Sequence, residues 1–385
     1  MYKFNRWLPL LAASAMAVMS PMQVLASPSF AYSAEVWAKL QDNNLEYDEI
    51  TNLVHEYNAT VLNNQITYKD KKDKNADDIA QDYRDAAAEL SGNITYPDSD
   101  SAMYGSLMAA AINSEKQVAS LEEQADNNVS DNETIKLGYD QVEAGLVNNA
   151  QLQMISYYQQ QKQLETLKVQ KELAESQYQS AVTKQTAGMA TNAEVLSAKQ
   201  QISTIDANIL STESGITSTK KNLMLLTGWK YDSDPVIGDI PTVTAEEIAA
   251  VDLAADTAKA LENNYTLKIS RKSLQNSQSE SVKNTWTNNI KSQEQTVTSS
   301  VKTAYQNLIL AKSNYDQAVS SLELEQKTLA TAERQYASGT MSRAAYEQEQ
   351  NTCNQQQITV NTQEIALVQS WQSYQSAVNG LAAAS

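Results

Sequence analysis

Residues 301–336 read VKTAYQNLILAKSNYDQAVSSLELEQKTLATAERQY. Steps of three and four fall on Val301, Ala304, Leu308, Ala311, Tyr315, Ala318, Leu322, Glu325, Leu329, Ala332 and Tyr336, and all but Glu325 are apolar or aromatic. A 3.5-residue period held this long is the seam of a coiled coil, because a surface helix of a globular domain drifts off that register within a few turns. The same stepping from Val195 gives Ala198, Ile202, Ile205, Ile209, Thr212, Ile216, Thr219, Leu223 and Leu226. Two long helices are therefore expected, each facing a partner along a narrow apolar line.

The composition permits such lengths. The chain has 385 residues but only 10 Gly and 6 Pro. Three prolines are Pro9, Pro21 and Pro28; the others are Pro97, Pro235 and Pro241. Proline inside a helix costs about 3 kcal/mol, so tracts 98–234 and 242–385 are open to uninterrupted helix. The seams use Ala, Thr and Tyr more than Leu. Each such residue buries little area, at about 25 cal/mol per Å², so one hairpin alone is marginal and lateral assembly is expected.

The turns repeat. Thr186, Ala187, Gly188, Met189, Ala190 and Thr191 precede one outgoing seam helix. Ala337, Ser338, Gly339, Thr340, Met341 and Ser342 precede another. In each, glycine suits a left-handed helix C-cap and Thr191 or Ser342 an N-cap. Gly188 and Gly339 lie 151 residues apart, and the closing Gly228 and Gly380 lie 152 apart. This reads as an internal duplication. The openings correspond loosely, Leu40 to Asn44 with Leu261 to Asn264, which leaves extra residues in the first copy. The fold expected is all-α: two tandem long helical hairpins in an antiparallel coiled-coil bundle, with little or no β. Residues 27–228 are the first hairpin repeat, with an insertion near 69–130 that is a loop or small helical elaboration. Residues 229–252 are a linker, and 253–385 are the second repeat.

Residues 1–26 read as a secretory signal peptide. Lys3 and Arg6 precede an apolar run over residues 8–18, and Val24, Leu25 and Ala26 make a cleavage site. No later stretch approaches the roughly 18 apolar residues of a membrane-spanning helix. The net charge of −17 speaks against a nucleic-acid partner. Catalysis finds no support in the residues. His55 is the only histidine and Cys353 the only cysteine, too few for a zinc cluster, and no nucleophile elbow or phosphate loop is present. No catalytic, cofactor-binding or metal-ligating residue is assigned, and no cofactor is expected.

With these motifs the chain resembles the TolC-like outer-membrane efflux protein family. Tyr336, Gly339 and Ser342 fit the family's tip pattern Tyr-x-x-Gly-x-x-[Ser/Thr]. Residues 188–196 fit its counterpart, with Tyr178 one heptad further upstream. Leu261, Asn264 and Leu267 are similar to the opening Leu-x-x-Asn-Pro-x-Leu, with Tyr265 in place of proline. The resemblance covers most of residues 40–381. It implies a homotrimer whose twelve coiled helices close a passive tunnel in the envelope of an exporting cell. It also implies a membrane-fusion-type adaptor and an inner-membrane transporter as partners. The adaptor-docking tip turns would be Gly188, Met189, Ala190 and Thr191, with Gly339, Thr340, Met341 and Ser342.

Two departures bear on that picture. The family places a pair of strands between the opening and returning helices of each half. Residues 273–301 and 54–67 show no ten-residue alternation and no aromatic girdle, so the barrel is expected to be absent or a stub. Family members can also carry aspartates six and nine residues past the second tip glycine. Ala345 and Gln348 stand there, and the nearby Glu347 and Glu349 are the candidates for an acidic gate. An exported coiled-coil spacer without a conduit is the alternative.

Overall fold

The computed structural model describes residues 32–230 and 232–384, so the expected signal peptide lies outside the described residues. Two compact units divide the chain, one ending at Asp42 and one beginning at Asn43. The first holds α1 (Ala34–Leu40), opened by the Ser33 hydroxyl, which accepts from the Val36 N–H at 3.4 Å.

The second unit is built from helix. β1 (Asn44–Leu45) and a single 3₁₀ turn lead into α2 (Ile50–Tyr57) and α3 (Ala59–Lys69). Then come α4 (Ala76–Gly92), α5 (Tyr104–Asp126), α6 (Asn132–Thr186) and α7 (Asn192–Leu226). After β2 (Val236–Ile237) follow α8 (Ala245–Ala249), α9 (Leu253–Asn263) and α10 (Tyr265–Asn276). α11 (Glu280–Ala337) and α12 (Arg343–Ser376) complete the set, and a π-helical turn, Ala377–Leu381, ends it. Among the described residues the only strands are β1 and β2, two residues each and paired in parallel, and no barrel is present.

α6 and α11 have 55 and 58 residues, about 80 Å each at 1.5 Å per residue. Each pairs with the helix that follows it. Down α6 and up α7, Gln185 meets Asn192, Lys171 meets Asp206 at 2.8 Å, and Gln160 meets Thr219 at 3.0 Å. Down α11 and up α12, Tyr336 meets Tyr346, the Gln356 amide donates to the Ala318 carbonyl, and Tyr305 meets Tyr374. Val301, Leu308, Ala311, Ala318, Leu322 and Ala332, all read as seam positions, are buried. The first seam is thinner, with Ile205, Thr219 and Leu223 buried among the positions read there.

The pairs join through α6 and α12. Ile155 packs on Ile365 and Val368, and the Gln372 amide donates to Gln151 at 2.7 Å and Asn148 at 3.2 Å. The long helices thus touch in the order α7, α6, α12, α11.

The same order of elements occurs twice: short helix, asparagine, short helix, long helix, glycine turn, returning helix. The asparagines are Asn58 and Asn264, each the cap between two short helices. This corrects the register read from the sequence, since the counterpart of Asn264 is Asn58 and not the Asn43–Asn44 pair. The reason is physical: Asn58 and Asn264 share the job of capping a helix while reaching the end of a returning helix. Between α3 and α6 the first series carries the α4–α5 helical hairpin. The second passes from α10 to α11 through residues 277–279 alone. The α4–α5 hairpin occupies residues 76–126, and residues 54–67 are helical apart from Asn58.

The linker packs along the side of this bundle. The Gly238 N–H donates to the Leu45 carbonyl at 2.8 Å, and the Tyr158 hydroxyl donates to the Gly238 carbonyl at 2.9 Å.

Candidate functional site

Both tip turns are closed by one hydrogen-bond pattern. At the first, the Met189 N–H donates to the Lys184 carbonyl at 2.7 Å and the Gly188 N–H to Gln185 at 2.8 Å. At the second, Thr340 N–H donates to Gln335 at 2.9 Å and Gly339 N–H to Tyr336 at 3.0 Å. This is the Schellman closure, and it puts glycine in the left-handed region, with φ of 74° at both Gly188 and Gly339. The Thr191 hydroxyl accepts from the Glu194 N–H, and the Glu194 carboxylate accepts from the Thr191 N–H at 2.6 Å. These bonds hold the Glu194 carboxyl below the usual carboxylate range. Ser342 caps α12 by accepting from Ala345 N–H at 3.2 Å.

The tips are alike in backbone and unlike in side chains. Met189 is 74 % exposed at the first. The second carries Tyr336 stacked on Tyr346, with centroids 4.9 Å apart and planes at 3°. A side chain added at Gly188 or Gly339 would meet nothing within 4 Å. The turns therefore need glycine for its backbone freedom and leave open space around it.

The candidate gate residues separate. The Arg343 guanidinium donates to Glu347 at 2.7 Å, so Glu347 is ion-paired within its own helix. Glu347 lines a groove of about 360 Å³ between α6 and α12, opposite Glu172, while Glu349 is not among its lining residues. The acidic pair that faces this groove is Glu172 with Glu347. Sequence reading missed Glu172 because nothing in a 55-residue polar helix marks which glutamate meets the other hairpin.

A polar cavity of about 520 Å³ lies where α2, α6 and the C-terminal turn meet, lined by His55, Glu143, Asn148, Tyr265 and Gln372 among others. His55 Nδ1 stands 2.8 Å from Glu143 Oε1. This pair ties α2 to α6 and has no hydroxyl or thiol nucleophile bonded to it. Among the described residues no three His, Cys, Asp or Glu side chains are grouped to hold a metal ion, and no helix is long and apolar enough to cross a membrane.

No family model and no curated relative matches the sequence. Solved structures do match in fold. A membrane protein from Pseudomonas aeruginosa is similar at a TM-score of 0.55 and 10 % identity, over 86 % of this chain and 93 % of that one. The outer-membrane channel OprN is similar at 0.54 and 11 %, over 91 % and 93 %. CusC, whose structures address folding and transmembrane channel formation, is similar at 0.53 and 11 %, over 95 % and 99 %. The chain has the TolC-like fold. Those neighbours are described as membrane or channel proteins and not as enzymes. In this TolC-like chain, the α4–α5 hairpin and residues 277–279 stand between the opening and returning helices. The segments where the resemblance put strand pairs, residues 54–67 and 273–301, are helical apart from Asn58 and residues 277–279.

Proposed function

We propose that the chain is a passive helical conduit of the cell envelope, exporting small molecules or proteins. It works as an exported homotrimer of duplicated hairpins, with a membrane-fusion-type adaptor at its tips and an inner-membrane transporter beyond. One observation carries this reading. α7 and α11 are the outer helices of the row, and each turns apolar side chains away from its own hairpin. On α7, Leu196, Leu210 and Leu225 lie opposite the buried Ile205, Thr219 and Leu223, and Leu225 is 75 % exposed. On α11, Leu310 lies opposite the buried Leu308 and Leu324 opposite the buried Leu322, and Leu324 is 66 % exposed. Leu196 and Leu210, like Leu310 and Leu324, lie two heptads apart, the spacing of a second coiled-coil face, and Leu225 falls one residue beyond the next such step.

The two edges differ, so one copy's α7 meets the next copy's α11. Such head-to-tail contacts close into rings when the rotation allows. A row of four long helices, repeated around an axis, encloses a lumen. The adaptor contact is placed on Gly188 to Thr191 and Gly339 to Ser342 because these turns are rigidly closed and, apart from the half-buried Ala190 and Met341, exposed.

The test is the mass in solution. Residues 27–385 should weigh three chains by light scattering. Leu210→Asp or Leu310→Asp should shift the mass toward one chain while helical content holds. A single-chain mass for the parent at micromolar concentration would sink the conduit. A second reading, an exported coiled-coil spacer, is favoured by the helix found over residues 54–67 and 273–301, where membrane-facing strand pairs are expected. A spacer need not form a closed ring, so the ring separates the two.

A further inference from the structure

The α4–α5 hairpin is the one large element that neither conduit nor seam explains. Its helices pack chiefly on each other, and its base is fastened to the start of α6. There the Asn128 amide donates to the Ala76 carbonyl at 2.7 Å and the Asn132 N–H to Lys74 at 3.1 Å. The buried residues of the two helices are Ile79, Ala80 and Ala87 on α4 and Ala111 and Ala125 on α5, all but Ile79 no larger than a methyl group. The larger apolar side chains sit at the far end. Tyr96 (54 % exposed), Met103 (63 %), Tyr104 and Leu107 are exposed together around the loop, which the Tyr96 hydroxyl pins to α5 by donating to Glu115. An exposed apolar cluster at the end of a projecting element is the usual mark of a contact surface.

Charge selects what it contacts. Residues 76–126 hold eleven carboxylates against Arg84 and Lys116, a net −9 out of −17 for the whole chain. No basic residue lies between 93 and 115. An anionic lipid surface is repelled and finds no lysine or arginine to hold its headgroups. A second copy would bring −9 against −9. A basic segment with apolar anchors satisfies both features, the anchors meeting Tyr104 and Leu107 and the cations meeting Asp98, Asp100 and Glu115.

We propose that the distal end of the α4–α5 hairpin docks a basic, apolar-studded segment of another protein. The surface is small beside a standard interface of roughly 800 Å² per partner, so the contact is weak and salt-sensitive. This holds for a conduit or a spacer alike.

The test places a photoreactive amino acid at Met103 of the full chain in cells and sequences the crosslinked peptide. The expected adduct is a segment of a different protein with positive net charge and apolar residues at helical spacing. A synthetic peptide of that segment should bind the purified chain about tenfold more weakly in Leu107→Ser, and likewise in Asp98→Asn with Asp100→Asn. Circular dichroism should show all these chains equally helical. An adduct with a second copy, with lipid, or with an acidic or neutral segment overturns the proposal. So does the absence of any adduct, or a peptide affinity that these substitutions leave unchanged.

Discussion

The side-chain amide of Asn264 donates to the carbonyl of Gly380 at 3.3 Å and to that of Ala382 at 2.8 Å, while its oxygen accepts from the Leu267 N–H at 3.0 Å. One buried side chain thus starts α10 and closes the C-terminal end of the second hairpin. Asn58 does the same work in the first series. Its amide donates to the Leu226 carbonyl at 2.8 Å, and its oxygen accepts from Thr60 N–H at 2.9 Å. Asn264→Ala removes a cap worth about 1 kcal/mol and strands buried carbonyls at about 1–3 kcal/mol more. Urea denaturation should show a loss of roughly 2–4 kcal/mol. Asn264→Asp, which keeps the cap oxygen and loses the donor, should recover part of it. A loss under about 0.5 kcal/mol in Asn264→Ala, the size of an ordinary surface change, would mean that the staple contributes nothing.

The glycines divide by what surrounds them. Gly188 and Gly228 share a left-handed backbone, with φ of 74° and 76°. A Cβ at Gly188 meets open space, whereas one at Gly228 would lie 2.3 Å from the Tyr57 Cβ and 2.5 Å from its carbonyl oxygen. Gly188→Ala should therefore cost only the backbone strain, about 1–2 kcal/mol. Gly228→Ala adds a clash with backbone, another 1–3 kcal/mol. Thermal denaturation of the two variants side by side checks the order, and equal losses would contradict the close approach of Tyr57.

The tips should be separable from stability. Gly339→Leu projects into solvent, so helical content should stay within a few per cent of the parent by circular dichroism. Adaptor pull-down or export should fall strongly if the turn is the contact. A collapse of helicity, or full export with an intact fold, would remove the tip from the docking surface.

Alkali should weaken the fold. Burial, and then its 2.6 Å hydrogen bond to Asp256, hold the Tyr374 hydroxyl proton well above the ordinary value of 10. Burial pushes Tyr47 up to about 12, and burial with Asp239 does the same for Tyr158. In the unfolded chain these groups ionise near the ordinary value, while the folded chain keeps its protons. Below that value their contribution is complete, and it is lost as pH rises through the folded values. The urea midpoint should be level from pH 8 to about 9.5 and fall steadily above 10. Tyr374→Phe should start lower, since Asp256 loses its donor, and fall less steeply. A midpoint unchanged to pH 11.5 would contradict the burial of these hydroxyls.

Much of this architecture is legible in the residues. The second seam is the clearest case, because Val301, Leu308, Ala311, Ala318 and Leu322 are apolar at each step and are buried. The tips are equally readable, since a left-handed glycine followed three residues on by a hydroxyl cap leaves few other geometries. The first opening is not readable. His55 stands where the second series has Leu261, and Ala59 where it has Tyr265, so the motif around Asn58 is erased while its hydrogen bonds persist. The α4–α5 pair escapes periodicity because its buried residues are alanine apart from Ile79, and a window of hydropathy hardly separates alanine from the polar faces. The leucine edges are visible only once the seam face is known, as they are defined by pointing away from it.

The most direct test of edge-to-edge assembly is an image of the particle viewed along its long axis. Electron microscopy of residues 27–385 should show a closed three-fold ring of long helices around an open lumen, with α7 of each copy against α11 of the next. Single four-helix particles, or a bundle whose axis is filled, would contradict it.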